Sequence, residues 1–197
     1  MKEILKTTIL LISLIRLIPH VIIFNIHGKK TIIIYDILRW MKINKKAAGG
    51  TQAGFIKLMT YYPEFRNLFY NRVGSVSVLI NFLCPKMNTL FIHTQDIGPG
   101  LYIQHGFATI ITAKSIGKDC WINQQVTIGF NGADSPVIKD NVTIRAGAKV
   151  IGNVTVGGNS IVGANAVVVK NVPGNSTVVG VPAYIIKRDG IKVKESL

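Results

Sequence analysis

The sequence predicts a mainly β protein, a parallel β-helix of hexapeptide repeats with an N-terminal α-helical region. Three observations predict it. Residues 138 to 173 divide into sixes without a gap, and the first residues of successive sixes are Ile138, Ile144, Val150, Val156, Val162 and Val168. The fifth residues are Val142, Ala148, Val154, Ser160, Ala166 and Val172, all small or β-branched. The positions between are mostly Gly, Asn, Lys, Asp and Ala. A helix of 3.6 residues per turn cannot keep a period of six on one face. Short strands stacked coil on coil can, and they bury the aliphatic column.

The 197 residues leave room for one ordinary domain and an appendage. Boundaries are expected at 1–84 for a helical region, 85–174 for the β-helix with a loop at 129–137, and 175–197 for a tail. Lys and Arg outnumber Asp and Glu by 23 to 9, a net charge of +14, which points to an anionic partner. Nucleic acid is not expected: zinc-finger spacing, basic-zipper heptads and ribonucleoprotein aromatics are all missing. Cys84 and Cys120 are too few and too far apart for a disulfide framework, and both fit buried filler in a reducing cytoplasm.

In chain order, residues 7–26 come first. They are strongly apolar, but Arg16, Pro19 and His20 at their middle oppose a membrane span. A buried helix pair broken near Pro19 and an interfacial helix both remain open. Up to Lys46 there are nine Lys or Arg against Glu3 and Asp36. The cluster Arg39, Lys42, Lys45 and Lys46 suits either a solvated face or a peripheral contact with anionic lipid. Ala47-Ala48-Gly49-Gly50 reads as a break between helices. Pro63 fits the first turn of a new helix, with Glu64 near its N-terminus. Phe65, Leu68, Phe69, Arg72 and Val73 follow at helical spacing, Gly74 loosens that helix, Val76 to Leu83 continue apolar, and Cys84-Pro85 ends it.

The six-fold count also runs backwards from 138. Phe91, Ile97 and Ile103 hold one phase, with Gln95, Leu101 and Phe107 in the second column. After a slip of one, Ile110, Ile116, Ile122 and Ile128 hold another, with Cys120 and Val126. Between Ile128 and Ile138 four extra residues loop out, within the Gly-rich stretch 129–137. A loop inserted in a regular solenoid is usually functional.

Two histidines fall in the β-helix, His93 and His105, each third in its six and so off the buried columns. His105 is surrounded by small and apolar residues, and an imidazole is suited to take a proton from a hydroxyl. The hexads, the loop and the closing Gly180-Val181-Pro182-Ala183 with Lys187-Arg188 resemble hexapeptide-repeat acyltransferases, in their serine-acetyltransferase-like branch. The resemblance covers residues 90–190. It implies a left-handed β-helix with three sixes per coil, a homotrimer with sites between subunits, acetyl-CoA as donor, an oxygen acceptor and no metal. His105 matches the family's catalytic His. Gly129 matches the start of its loop, and Ala146, Gly147 and Ala164 match the small residues that let pantetheine lie on the wall. Lys187 and Arg188 match the place of the CoA phosphates. The acceptor would meet His93, Gln104 and Ser135. Asp134 and a backbone carbonyl are both candidates to orient His105.

Three positions depart from serine acetyltransferases. Gln104 replaces the Asp before the catalytic His, Phe91 replaces a second Asp, and Ala133-Asp134-Ser135-Pro136 replaces Asp-Arg-His-Pro. Charges that would grip a free amino acid are missing or reversed. The expectation is therefore a cytoplasmic sugar O-acetyltransferase of capsule or surface-polysaccharide synthesis, resembling colanic-acid-type enzymes. Its basic N-terminal region would touch lipid-linked glycan at the inner membrane face. Serine O-acetylation in cysteine synthesis is the alternative, and a non-catalytic trimeric scaffold is a third reading. A metal-dependent hydratase would need a third His in the β-helix.

Overall fold

A computed structural model describes residues 2–45 and 49–197, with side chains from residue 14 onward. Lys46, at the end of the basic cluster, and Ala47-Ala48, half of the expected break, lie outside the described residues. So do the side chains of Lys2 and Lys6. The chain divides into two compact units, Met1–Met87 and Asn88–Leu197.

The first unit comprises α1 (Lys2–Ile26), α2 (Lys30–Ile43), α3 (Thr51–Tyr61), α4 (Pro63–Val73) and a 3₁₀ turn (Gly74–Leu79). Apolar side chains at helical spacing meet in one core. Leu17, Phe24, Ile37, Trp40, Phe55, Leu58, Phe65 and Phe69 are all buried. Phe24 stacks on Phe55 with centroids 4.8 Å apart, and Phe69 meets Phe55 edge-on at 5.0 Å. Pro63 opens α4 with Glu64 in its first turn, and Gly74 caps it with φ 62°. The break expected near Pro19 does not occur, and α1 runs through it. Ile15 and Ile18 beside it are exposed, so water can serve the carbonyl that proline leaves without a donor. Among the described residues no helix is long and apolar enough to cross a membrane.

Two polar arrangements cross this core. Arg72 Nε donates to Asp36 Oδ2 at 2.9 Å, with both side chains buried. His20 Nε2 lies 2.9 Å from the Tyr70 hydroxyl, which donates to the Cys84 carbonyl at 2.6 Å. The hydroxyl proton is thus committed to the carbonyl, and its oxygen accepts from Nε2–H. Burial, aided by the nearby Arg16 and Arg66, lowers the His20 pKa to about 4.

The second unit winds through three walls. The first wall carries β1 (Leu90–Ile92), β3 (Thr109–Ile111), β6 (Thr127–Gly129), β9 (Lys149–Ile151) and β12 (Val167–Val168). The second carries β4 (Ser115–Ile116), β7 (Val137–Ile138) and β10 (Thr155–Val156). The third carries β2 (Tyr102–Ile103), β5 (Trp121–Ile122), β8 (Thr143–Ile144), β11 (Ile161–Val162) and β13 (Ser176–Val179). Two antiparallel strands, β14 (Tyr184–Arg188) and β15 (Ile191–Ser196), extend it. All ladders before β14 are parallel, so every coil repeats the one above it.

Both expected columns are interior from 138 onward. Ile138, Ile144, Val150, Val156, Val162 and Val168 are at most 1% exposed, and Val142, Ala148, Ser160 and Ala166 are fully buried. Upstream the phase differs from expectation at four positions. Phe91 (47%) and Ile110 (40%) point outward, while Leu90, Thr109 and Ile111 face in. Gln95 and Phe107 are also exposed rather than in the second column. Phe91 pairs in register with Ile110 and faces out with it, and for Phe107 and Ile110 the reason is the corner after Ile103. His105 and Ala108 both take positive φ there, which lengthens the corner and brings Ile111, not Ile110, onto Ile128. Cys84 and Cys120 are free and buried.

The corner between the second and third walls is made by αL residues at Asn141, Asn159 and Asn175, with φ of 54–58°. Their amides form a ladder. Asn141 donates to Asn159 at 3.2 Å, Asn159 to Asn175 at 3.1 Å, and Asn175 to Asp189 at 3.0 Å. Asn tolerates αL better than other side chains.

Two outcomes are expected. The unfolded chain protonates His20 near 6.5 and the folded one near 4, so the contribution of a neutral His20 is full above pH 6.5 and lost as pH falls toward 4. His20→Phe should therefore flatten the fall in urea midpoint between those pH values; an unchanged slope would count against this. Asn159→Ala should cost about 1–2 kcal/mol by thermal melting, and Asn159→Gly less, because glycine adopts αL freely.

Candidate active site

The corners decide which side chains can meet. Chain leaving the third wall for the first turns at Ala108, Gln125, Gly147 and Asn165, with φ of 51°, 59°, 74° and 56°, and the first of these corners holds an additional αL residue, His105, with φ 59°. These turns stack coil on coil. Gly147 N–H donates to the Gln124 carbonyl at 3.1 Å, and Asn165 N–H to the Ala146 carbonyl at 2.9 Å. Gln125 N–H likewise donates to the Phe107 carbonyl at 3.0 Å, so Phe107, Gln124, Ala146 and Ala164 form one column, and His105 stands two residues before its head in the irregular first corner. Gly147 takes its φ of 74° without strain, and a Cβ there would push the Asn165 side-chain amide aside. The His105 side chain is exposed. Among the described residues its ring has no hydrogen-bond partner.

Gln104, just before it, is held in place. Its Oε1 accepts from Trp121 Nε1 at 3.2 Å and from Asn123 Nδ2 at 2.9 Å. Trp121 and Asn123 escaped the sequence reading. The signal was available, since Ile103 and Ile122 pair in register and so set Gln104 beside Asn123.

The remaining candidates stand elsewhere. His93 lies at the corner between the first and second walls, with Nδ1 3.1 Å from Thr112 Oγ1. The loop leaves from that same corner. Gly129 accepts from Gly152 N–H at 3.0 Å, and Asp134 is exposed in a turn closed by Asn131 N–H donating to its carbonyl at 3.0 Å. Ser135 is half-buried beside it. Within one chain, then, His93, Gly129, Asp134 and Ser135 share one corner and His105 another, with the first wall between them. Lys187 and Arg188 pair with Thr177 and Ser176, at the end of the third wall away from the His105 corner. Arg188 is bound to Glu195 at 2.9 Å, and Lys187 is exposed. Among the described residues no three His, Cys, Asp or Glu side chains cluster closely enough to hold a metal ion.

Comparison with known proteins places this geometry. Residues 135–170 match the bacterial transferase hexapeptide (six repeats) model. A serine acetyltransferase of Synechococcus elongatus is 35% identical over 153 residues, 70% of this chain and 63% of that protein. A serine acetyltransferase of Staphylococcus aureus is 46% identical over 102 residues, 49% of this chain and 48% of that protein. The chain thus spans about half to under two thirds of the length of these relatives. Among solved structures, Neisseria gonorrhoeae serine acetyltransferase in complex with serine superimposes with a TM-score of 0.64 at 26% identity. The match covers 82% of this chain and 70% of that one.

These relatives overturn the expectation of a sugar acceptor in capsule or surface-polysaccharide synthesis and the resemblance to colanic-acid-type enzymes. That expectation weighed the charges lost at matched positions, Gln104, Phe91 and the loop, together with a short helical region, and not the amides that the third wall brings beside Gln104. The fold is the left-handed β-helix, and residues 135–170 carry the hexapeptide repeats of bacterial transferases, the class of protein to which the chain is similar.

Proposed function

We propose that this chain is a serine O-acetyltransferase, moving the acetyl group of acetyl-CoA to the hydroxyl of L-serine. The observation that carries it is the exposed, unpartnered imidazole of His105 in the irregular corner that caps the column carrying Ala146, Gly147 and Ala164, in a chain whose relatives are serine acetyltransferases. His105 accepts the serine hydroxyl proton as that oxygen attacks the thioester carbonyl. The C–S bond then breaks, CoA leaves as the thiolate, and the imidazolium returns the proton to it. Ala146, Gly147 and Ala164 keep the column low enough for a pantetheine arm to lie along it. In this reading Lys187, exposed, is the cation left for CoA phosphates, since Arg188 is engaged by Glu195.

The reading includes a homotrimer, since three-fold packing sets one subunit's His105 corner against the His93 and loop corner of the next. Asp134 and Ser135 would then serve a neighbour's His105 rather than their own. A non-catalytic scaffold would release no CoA.

A peripheral contact of the helical unit with anionic lipid is a second proposal. It is supported by the exposed stripe Ile15, Ile18, Ile22 and Ile26 on α1 and by the exposed Lys29 that follows it.

Purified protein should release CoA from acetyl-CoA when L-serine is added. His105→Ala should lower kcat by about 10²–10⁴-fold with unchanged circular dichroism; unchanged transfer would remove His105 as the base. Flotation with phosphatidylserine vesicles should carry the full-length chain, and absence of binding removes the lipid contact.

A further inference from the structure

The acceptor site has a polarity problem that its own amides resolve. The Trp121 indole can only donate, so Gln104 must turn Oε1 toward it, and Asn123 must bring Nδ2 to that same oxygen. Both amide orientations are thereby fixed. Gln104 Nε2 is left facing away from its two donors, so this position offers N–H groups, not a negative charge. An ammonium cannot bind there.

The same lock leaves acceptors nearby. Asn123 is only 9% exposed, and its Oδ1 is buried with no hydrogen-bond partner. Gln124, next along the chain and one coil from His105 at the same corner, likewise has a buried, unpartnered Oε1. Native chains seldom leave such oxygens without a donor, so two together ask for one. On the following coil, β8 continues the register of Ile103 and Ile122 through Ile144, which sets Arg145 beside Asn123 on the outside of the third wall. Arg145 is exposed, and no partner holds its guanidinium among the described residues. Gln104, Asn123 and Arg145 therefore run as one polar column about 5 Å apart per step.

We propose that this column is the amino-acid recognition site. Asn123 Oδ1 and Gln124 Oε1 accept the ammonium of the acceptor, and Gln104 Nε2 with Arg145 takes its carboxylate. The proposal rests on the serine reading and adds the residues that read the zwitterion. Neutral dipoles replace a carboxylate for the cation, and an arginine on the wall replaces one in the loop.

The test is steady-state kinetics on the full chain with L-serine and with L-serinamide, which keeps the ammonium and lacks the carboxylate. Asn123→Leu should raise KM for both by about tenfold or more, with KM for acetyl-CoA within about twofold. Arg145→Ala should raise KM for L-serine by a similar factor and leave that for L-serinamide unchanged. Should Asn123→Leu fail to fold, Gln124→Met reads the same ammonium contact. Unchanged KM for L-serine in these variants overturns the proposal while the serine reading stands. So does a loss confined to assembly by light scattering, which would mean that a neighbouring subunit supplies the donors. If the unaltered chain transfers nothing to L-serine, the serine reading itself fails and the column falls with it.

Discussion

The parallel backbone ladder is the constraint from which the second unit follows. Trp121 N–H donates to the Val142 carbonyl, Thr143 to Ser160 and Gly163 to Val178, each at 2.8–2.9 Å. Strands so bonded stand about 4.8 Å apart, and their side chains fall into columns. Inside, the columns are Ile122, Ile144 and Val162, fully buried. Burial of each such side chain contributes roughly 1.5–3 kcal/mol, and those contributions tie the coils together. Outside, the same register lines up residues that are far apart in sequence. The corner column under Phe107 and Ala108 and the polar column under Gln104 are both consequences of it.

Corners are where this regularity is spent on function. An αL residue turns the chain with little room to spare, and at most corners Asn, Asp or Gly does so. His105 occupies the same conformation without being one of these. Its corner is the one that departs from the repeat, taking a second αL residue at Ala108 and shifting the inward position to Ile111. Irregularity in a repeat thus coincides with the titratable group that faces solvent. The loop from Gly129 is the other departure, and it leaves from a different corner. Neither departure is needed to hold the coils together, since the interior columns run past both.

The acceptor shows how an argument from missing charges can mislead. Gln104 in place of an acid, and Asp134 and Ser135 in place of Arg and His, suggested that no amino acid could be held. The relatives act on serine by name. A zwitterion can be met by oriented dipoles as well as by charges, and an amide's direction is set by what holds its other end. Gln104 is an acceptor or a donor only once Trp121 has claimed its oxygen. Identity at one position therefore carries less than the network around it.

The strict period of six from Ile138 to Pro173 determined the β-helix, its two interior columns and the loop, because a repeat that recurs in every coil has only one way to bury its aliphatic face. Local sequence likewise determined the start of α4 at Pro63, whereas its end at Gly74 comes earlier than the Cys84-Pro85 expected from the sequence. Tertiary structure decided the rest. It turned Ile110 outward, because two αL residues lengthened one corner, and Phe91 with it through the ladder, and it carried α1 through Pro19, because the exposed side of that helix could hydrate a lone carbonyl. It also separated His93 from His105 and joined Gln104 to Trp121 and Asn123. Those relations depend on which coil lies against which, and register between coils is a property of packed backbone rather than of any short stretch of residues.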